Sequence, residues 1–266
     1  MEKKYLNLIN SLKDLKSVVL AFSGGVDSTF LLKACKEALG KNVISVTVVS
    51  PYIPKWEVKE AKELIEELGI ESYFLEVPII DEIKDNPENR CYLCKKGIFK
   101  KIKEIAKEKN INYVIDGTNA DDIKDYRPGL VALKELHIKS PLLENSITKE
   151  DIRRYSKELG LNTWDKPAYA CLLSRIPYNQ TINIEDLERI EKSEKYLMNL
   201  GFRAVRVRSH KNLARIEVPR KDRKRLLNED ILDQIYLKLK ELGFKYVTLD
   251  LQGYKMGSLN QEIKQK

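Results

Sequence analysis

The 266-residue sequence reads as α/β, a parallel sheet wound with helices and followed by a smaller α+β domain. Three observations predict this. Short β-branched or apolar runs at residues 17–22, 43–49, 72–77 and 113–116 alternate with segments of helical spacing, as in a parallel sheet flanked by helices. The first run passes directly into two glycines and a helix. Beyond about residue 175 the order changes to helix, two short strands, helix and strand.

Taken in order, the run at 17–22 leads into a helix with Leu31, Cys35 and Leu39 on one face, and in that stripe Cys35 reads as a core residue. Ile98, Phe99, Ile102, Ile105 and Ala106 form another helical stripe. Thr148-Lys-Glu-Asp151 has the spacing of a capping box and opens a helix that runs to Leu159. The first half is thus Rossmann-like in its winding. In the second half a helix over 185–200 closes at Gly201, strands follow at 204–208 and 214–218, and the last strand lies at 246–251. We expect domains at 1–175 and 176–266, although the stretch 166–178 suits either part.

With 42% hydrophobic and 33% charged residues, the composition excludes collagen, coiled-coil, mucin and disordered classes. Apolar runs such as 18–22 are far shorter than the roughly 20 residues of a membrane helix. The N-terminus is charged and then amphipathic, without the apolar block of a signal peptide, so a cytoplasmic protein with no membrane partner is expected. Forty-eight Lys and Arg against 40 Asp and Glu leave a net charge of +8, which favours acidic partners such as nucleotides. The signs are well interspersed, however, and a solvated surface explains most of the charge. Four cysteines in a reducing compartment are better metal or catalytic candidates than disulfide partners.

The strongest motif is Ser23-Gly-Gly-Val-Asp-Ser-Thr29. Glycines let the backbone approach a phosphate, and the N–H groups of the following helix point at it along the positive end of the macrodipole. The spacing lacks both the Walker G-x-x-x-x-G-K-[ST] and the dinucleotide G-x-G-x-x-G. It resembles the PP-loop of ATP pyrophosphatases, which split ATP between its α and β phosphates. That resemblance implies that Ser23, Gly25, Ser28 and Thr29 hold pyrophosphate and that Asp27 positions Mg²⁺. It also implies ATP contacts at Ala21, Val26, Val48, Gly117 and Thr118.

Cys91 and Cys94 form a C-x-x-C pair, and Cys171 stands in Ala170-Cys-Leu-Leu-Ser-Arg175. Two cysteines are half of a tetrahedral site. Three readings remain open: a three-cysteine [4Fe–4S] site with one iron position for a substrate sulfur, Cys171 acting alone as sulfur source, or zinc, redox or packing roles. Arg206 and Arg208, two apart on a strand, project to one face and could fork onto a phosphate, the plainer alternative being a solvated strand face. Ser174 and Arg175 directly follow the cysteine segment and could hold a carboxylate or the AMP phosphate. Asp121, Asp122 and Asp125 suit either Mg²⁺ or turn formation.

Taken with the PP-loop, four stretches are similar in content and order to the LarE family of ATP-dependent sulfur transferases. These are Asp116-Gly-Thr-Asn-Ala-Asp-Asp122 with Asp125 to Gly129, Ala170 to Tyr178, Arg206-Val-Arg208 with Leu213 to Glu217, and Thr248 to Tyr254. The resemblance spans nearly the whole chain. It implies adenylation of the carboxylates of pyridinium-3,5-biscarboxylic acid mononucleotide and their conversion to thiocarboxylates, with Cys171, Asp27 and Arg175 catalytic. Ser174, Arg175, Glu194, Arg206 and Arg208 would bind the substrate, Glu194 on the resemblance alone.

Family members obtain sulfur either from a sacrificial cysteine at the Cys171 position or from sulfide bound to a [4Fe–4S] cluster on cysteines matching Cys91, Cys94 and Cys171. The C-x-x-C pair here favours the cluster, fed by an external sulfide donor. A homo-oligomer is expected. A tRNA thiolase is the runner-up, but no interleaved Arg and aromatic run offers bases a stacking surface, so no nucleic-acid partner is expected. A nucleotide-binding carrier without turnover would bind ATP and release no pyrophosphate, and an ammonia-using amidotransferase would leave the three cysteines unused.

Overall fold

A computed structural model describes residues 3–124 and 128–255. The chain divides into two compact units, Met1–Ile80 with Asn89–Tyr169, and Asp81–Glu88 with Ala170–Lys266.

In the first unit, β1 (Val18–Ala21), β2 (Val43–Val49), β3 (Glu71–Glu76) and β4 (Tyr113–Ile115) form a four-stranded parallel sheet in the order β3-β2-β1-β4. The runs picked out by sequence are therefore its strands. Side chains alternate across the sheet. Val18, Leu20 and Val43 face a core shared with α1 (Lys3–Asp14), α2 (Val26–Leu39), α3 (Lys55–Leu68) and α7 (Lys149–Glu158), whereas Val19, Ile44, Val46 and Val114 face α4 (Arg90–Glu108) and α5 (Gly129–Glu135). A short α6 (Pro141–Glu144) precedes α7. Cys35 is fully buried in the first of these cores, and burial pushes its thiol well up, so it packs and does not ionise. The expected capping box is present: Thr148 Oγ1 accepts from the Asp151 N–H, and the Asp151 carboxylate accepts from the Thr148 N–H.

The strand order reverses between β1 and β4. In open parallel sheets ligands bind outside the carboxyl ends of the strands at this switch point. Ala21 ends β1 and the Ser23–Thr29 segment follows it, Gly117 and Thr118 follow β4, and Val48 is the last residue but one of β2.

The second unit holds α8 (Ile184–Asn199), an antiparallel pair of β5 (Arg206–His210) and β6 (Leu213–Glu217), α9 (Glu229–Glu241) and β7 (Tyr246–Leu249), which adds parallel to β6. Val207, Ala214 and Ile216 pack with Leu197, Phe202, Ile235, Leu239 and Phe244. The stretch Asp81–Glu88 belongs here because Asn86 stitches it down. Its Nδ2 donates to the carbonyls of Ile176 and Pro177 at 2.9 Å, and its own carbonyl accepts from the Asn179 N–H at 3.1 Å. Asn86 has φ +50°, a left-handed conformation that Asn tolerates better than most residues. No helix among the described residues is long and apolar enough to cross a membrane.

Candidate active site

The loop after β1 is built to leave N–H groups open. Gly25 caps α2 and brings no side chain to the first-turn amides, which stay available to an anion. Gly24 adopts φ +67°, and a Cβ there would lie 3.0 Å from Ala61 Cβ. Only glycine meets both constraints. Ser23 Oγ and Ser28 Oγ sit 3.1 Å apart, Ser28 Oγ donates to the Gly25 carbonyl at 3.2 Å, and the buried Thr29 Oγ1 has no hydrogen-bond partner among the described residues. Gly117 closes the other side: a Cβ there would stand 3.2 Å from the Ser28 nitrogen, so the loop after β4 rests directly on the start of α2.

Two lysines reach this loop from α7 and the segment beyond it. Lys149 Nζ lies 2.8 and 2.6 Å from the two carboxylate oxygens of Asp27, and Lys166 Nζ donates to the Gly24 carbonyl at 2.9 Å while pairing with Glu60. Arg153, also on α7, holds the Lys166 segment by donating to the carbonyls of Trp164 and Lys166. Burial pushes the Asp27 carboxyl above its usual range, against the pull of Lys149. Sequence reasoning missed both lysines. One signal was there: Lys149 is the first residue of α7, where the macrodipole disfavours a cation.

Two acids of the Asp-rich stretch meet the backbone. The Asp122 carboxylate accepts from the Asn119 N–H at 2.9 Å and that of Asp121 from the Lys149 N–H at 2.8 Å, so both act in turns and caps. Asp125 lies outside the described residues. The buried Asp116 accepts from Thr118 Oγ1 at 2.5 Å and Ser140 Oγ at 2.6 Å, which fixes Thr118 after β4.

All four cysteines are thiols. Cys91 and Cys94 are the second and fifth residues of α4, Cys91 exposed and Cys94 half-buried with its Sγ 3.4 Å from the Tyr52 hydroxyl. Cys171, half-buried, belongs to the second unit. Among the described residues no three His, Cys, Asp or Glu side chains are grouped as a metal site.

In the second unit the singled-out charged residues lie inside the fold. Arg175 is 1% exposed and Glu194 3%. Arg175 Nε and Nη2 donate to the two Glu194 oxygens at 2.9 and 2.8 Å, and Glu194 Oε1 also accepts from the Val207 N–H at 2.9 Å. Arg206 and Arg208 do share a face of β5, opposite the core residue Val207, but that face is buried and not solvated. Arg208 forks onto Glu217 and donates to the Ser174 carbonyl at 2.6 Å. The Arg206 guanidinium lies 4.8 Å from the Tyr254 ring. Gly253 permits this placement of Tyr254, since a Cβ there would come within 2.4 Å of the Val218 carbonyl oxygen. Replacing Arg208 by Met would strip a Glu217 carboxylate that is 2% exposed of its two-pronged partner and leave it with Arg215 Nη2 at 3.2 Å. A loss of about 3–5 kcal/mol is expected, read as a fall of about 10 °C in the midpoint of thermal unfolding.

A family model described as NAD synthase matches residues 3–112, the stretch holding the phosphate loop. Three relatives align over nearly their full length. The pyridinium-3,5-bisthiocarboxylic acid mononucleotide synthase of Lactiplantibacillus plantarum is 39% identical over 98% of this chain and 95% of its own. Uncharacterised proteins of Synechocystis and Methanocaldococcus jannaschii are 41% and 38% identical, over 99% and 95% of this chain and 99% and 98% of their own. With the phosphate loop at the switch point of a parallel sheet and identity of this extent, the chain belongs to the LarE family, ATP-dependent sulfurtransferases of the PP-loop ATP pyrophosphatase superfamily.

Proposed function

We propose that the chain adenylates the carboxylates of pyridinium-3,5-biscarboxylic acid mononucleotide with ATP and replaces AMP with sulfur, twice, to give the bisthiocarboxylate. One observation carries the adenylating half: Ser23 to Thr29 opens a helix at the switch point with its first-turn amides uncapped. The substrate is taken from the relative named for that product.

A carboxylate is a poor electrophile because its leaving group would be oxide. Attack of a carboxylate oxygen on the α-phosphorus breaks the bridging α–β P–O bond and expels pyrophosphate. Ser23, Ser28, Thr29 and the amide of Gly25 hold that leaving group, and Lys149 and Lys166 bring positive charge to the same loop. Ala21, Val26, Val48, Gly117 and Thr118 serve the rest of the nucleotide. Mg²⁺ held at Asp27 would neutralise phosphate oxygens.

The acyl adenylate is then attacked at its carbonyl carbon by a thiolate or sulfide. The C–O bond to phosphate breaks and AMP departs with the electron pair. Ser174, Arg206 and Arg208 serve the substrate's phosphate and carboxylate, Arg208 exchanging a contact to Glu217 or to the Ser174 carbonyl for one to the substrate. Three thiols suit iron, and Cys91, Cys94 and Cys171 would hold a [4Fe–4S] cluster that would supply sulfide taken from an external donor. In this reading the enzyme works in the cytoplasm as a homo-oligomer on a small nucleotide, without nucleic acid.

Anaerobic purification followed by iron and sulfide analysis tests the sulfur route, and pyrophosphate release tests the substrate. We expect brown protein with about four iron per chain, bleached by Cys91→Ala, Cys94→Ala or Cys171→Ala, and pyrophosphate release that requires the biscarboxylate mononucleotide. Colourless active protein that loses one sulfur at Cys171 would replace the cluster with the sacrificial route. Release indifferent to the mononucleotide would overturn the substrate.

A further inference from the structure

We infer that Arg175 and Glu194 are positioning residues that fix the Cys171 thiol through its own backbone, and that neither side chain binds substrate. The inference rests on the reading that Cys171 takes part in sulfur transfer. Three features of the second unit carry it.

The first is inaccessibility. Arg175 is among the largest fully buried side chains, and Glu194 is buried with it. Two of the guanidinium's nitrogens are committed to the Glu194 oxygens. A side chain so placed and so occupied is a poor hand for a soluble nucleotide.

The second is where the remaining nitrogen goes. Arg175 Nη1 donates to the Ala170 carbonyl at 2.5 Å, to the Cys171 carbonyl at 3.0 Å and to Ser174 Oγ at 2.9 Å. The Cys171 carbonyl also accepts from the Ser174 N–H at 3.1 Å and from Ser174 Oγ at 2.9 Å. The peptide units on both sides of the Cys171 α-carbon are thereby held by a single planar cation. A charged donor to a buried carbonyl is stronger than a neutral one, and the fork geometry leaves little rotation.

The third is the anchor behind it. Glu194 is fixed from α8 and also accepts the Val207 N–H of β5, while Arg208 of the same strand ties the Ser174 carbonyl to Glu217 of β6. The turn Leu172–Arg175 is thus clamped from its start and its end by two buried Arg–Glu pairs. Such pairs are weak evidence for stability, since apolar replacements of similar volume often fold as well or better. Here each pair ends on the backbone of the cysteine turn, which gives it work that an apolar pair could not do.

The test separates placement from folding. Arg175→Lys keeps a cation beside Glu194 but cannot span the acid and two carbonyls together. The double variant Arg175→Met/Glu194→Gln removes the charges while retaining an acceptor for the Val207 N–H, and it serves if the lysine variant does not fold. Circular dichroism establishes the fold. We then measure the rate of iodoacetamide alkylation at Cys171 by peptide mass spectrometry on metal-free protein, together with pyrophosphate release and thiocarboxylate formation.

The expected result is a folded variant with pyrophosphate release within about twofold of wild type, thiocarboxylate formation reduced at least tenfold, and a Cys171 alkylation rate changed at least threefold while that of Cys91 is unchanged. A folded variant with wild-type alkylation of Cys171 overturns the inference, as does loss of pyrophosphate release with sulfur transfer in proportion, which would mark Arg175 as a substrate ligand. Cys171→Ser run alongside keeps the two readings apart. If it makes product, the role of Cys171 in sulfur transfer fails, and the alkylation rates alone then decide whether the pair places the thiol.

Discussion

Asp27→Ala is expected to lower ATP-dependent pyrophosphate release by about 10²–10³-fold, the scale of losing one preorganised electrostatic group at a reacting phosphate. Asp27 lies in the first turn of α2, next to the uncapped amides. Its removal has a second consequence. Lys149 loses both of its contacts to the carboxylate, and an ammonium 2.6 Å from Asp27 in the resting chain becomes available to phosphate oxygens. ATP binding should therefore hold or tighten while turnover collapses, so the loss appears in kcat and not in KM. Lys149→Met should do the reverse, raising the KM for ATP with a smaller effect on kcat. Steady-state pyrophosphate assays on the two variants check both. Asp27→Ala protein with release within threefold of wild type would remove the role assigned to this residue.

Cys171→Ser is expected to lower thiocarboxylate formation by more than about 10³-fold, because an alkoxide precursor with a far higher pKa replaces the sulfur nucleophile or ligand. Pyrophosphate release should persist, since the loop that supports it belongs wholly to the first unit and Cys171 to the second. Cys35 cannot stand in, being fully buried with its thiol pushed up. The assay is product formation by mass spectrometry beside pyrophosphate release. Product at wild-type rates from the serine variant would overturn the role of Cys171.

Local chemistry was legible in the sequence, and long-range pairing was not. The strands of the parallel sheet, the stripe through Phe99 and Ile102, and the Thr148–Asp151 capping box are set by periodicity or by partners three residues apart, so one dimension contains them. The phosphate loop was readable for the same reason: glycine, hydroxyl and helix start lie within seven residues. Lys149 was missed because its partner Asp27 is 122 positions away, and the one local signal, a cation at a helix start, does not name that partner. Arg175 and Glu194 were singled out, but the feature that explains them is each other, across 19 residues and two elements. The two arginines of β5 were placed correctly on one face by the two-residue strand period. That the face is closed over depends on Glu217, Ser174 and Tyr254, which come from other parts of the chain.

The path of the backbone through Asp81–Glu88 constrains how the molecule can be made and taken apart. The chain leaves the first unit at Ile80, spends eight residues in the second, returns at Asn89, and leaves again after Tyr169. Three covalent crossings join the halves where a simple tandem would have one. A ribosome-tethered chain has therefore already extruded the anchor at Asn86 long before its receptors at Ile176 and Pro177 emerge, and although residues 1–169 carry the whole first unit, no fragment carries the second without residues of the first. Severing the polypeptide after Tyr169 should yield two pieces that copurify, the piece beginning at Ala170 refolding only when mixed with its counterpart, because it lacks the eight residues that only the counterpart carries.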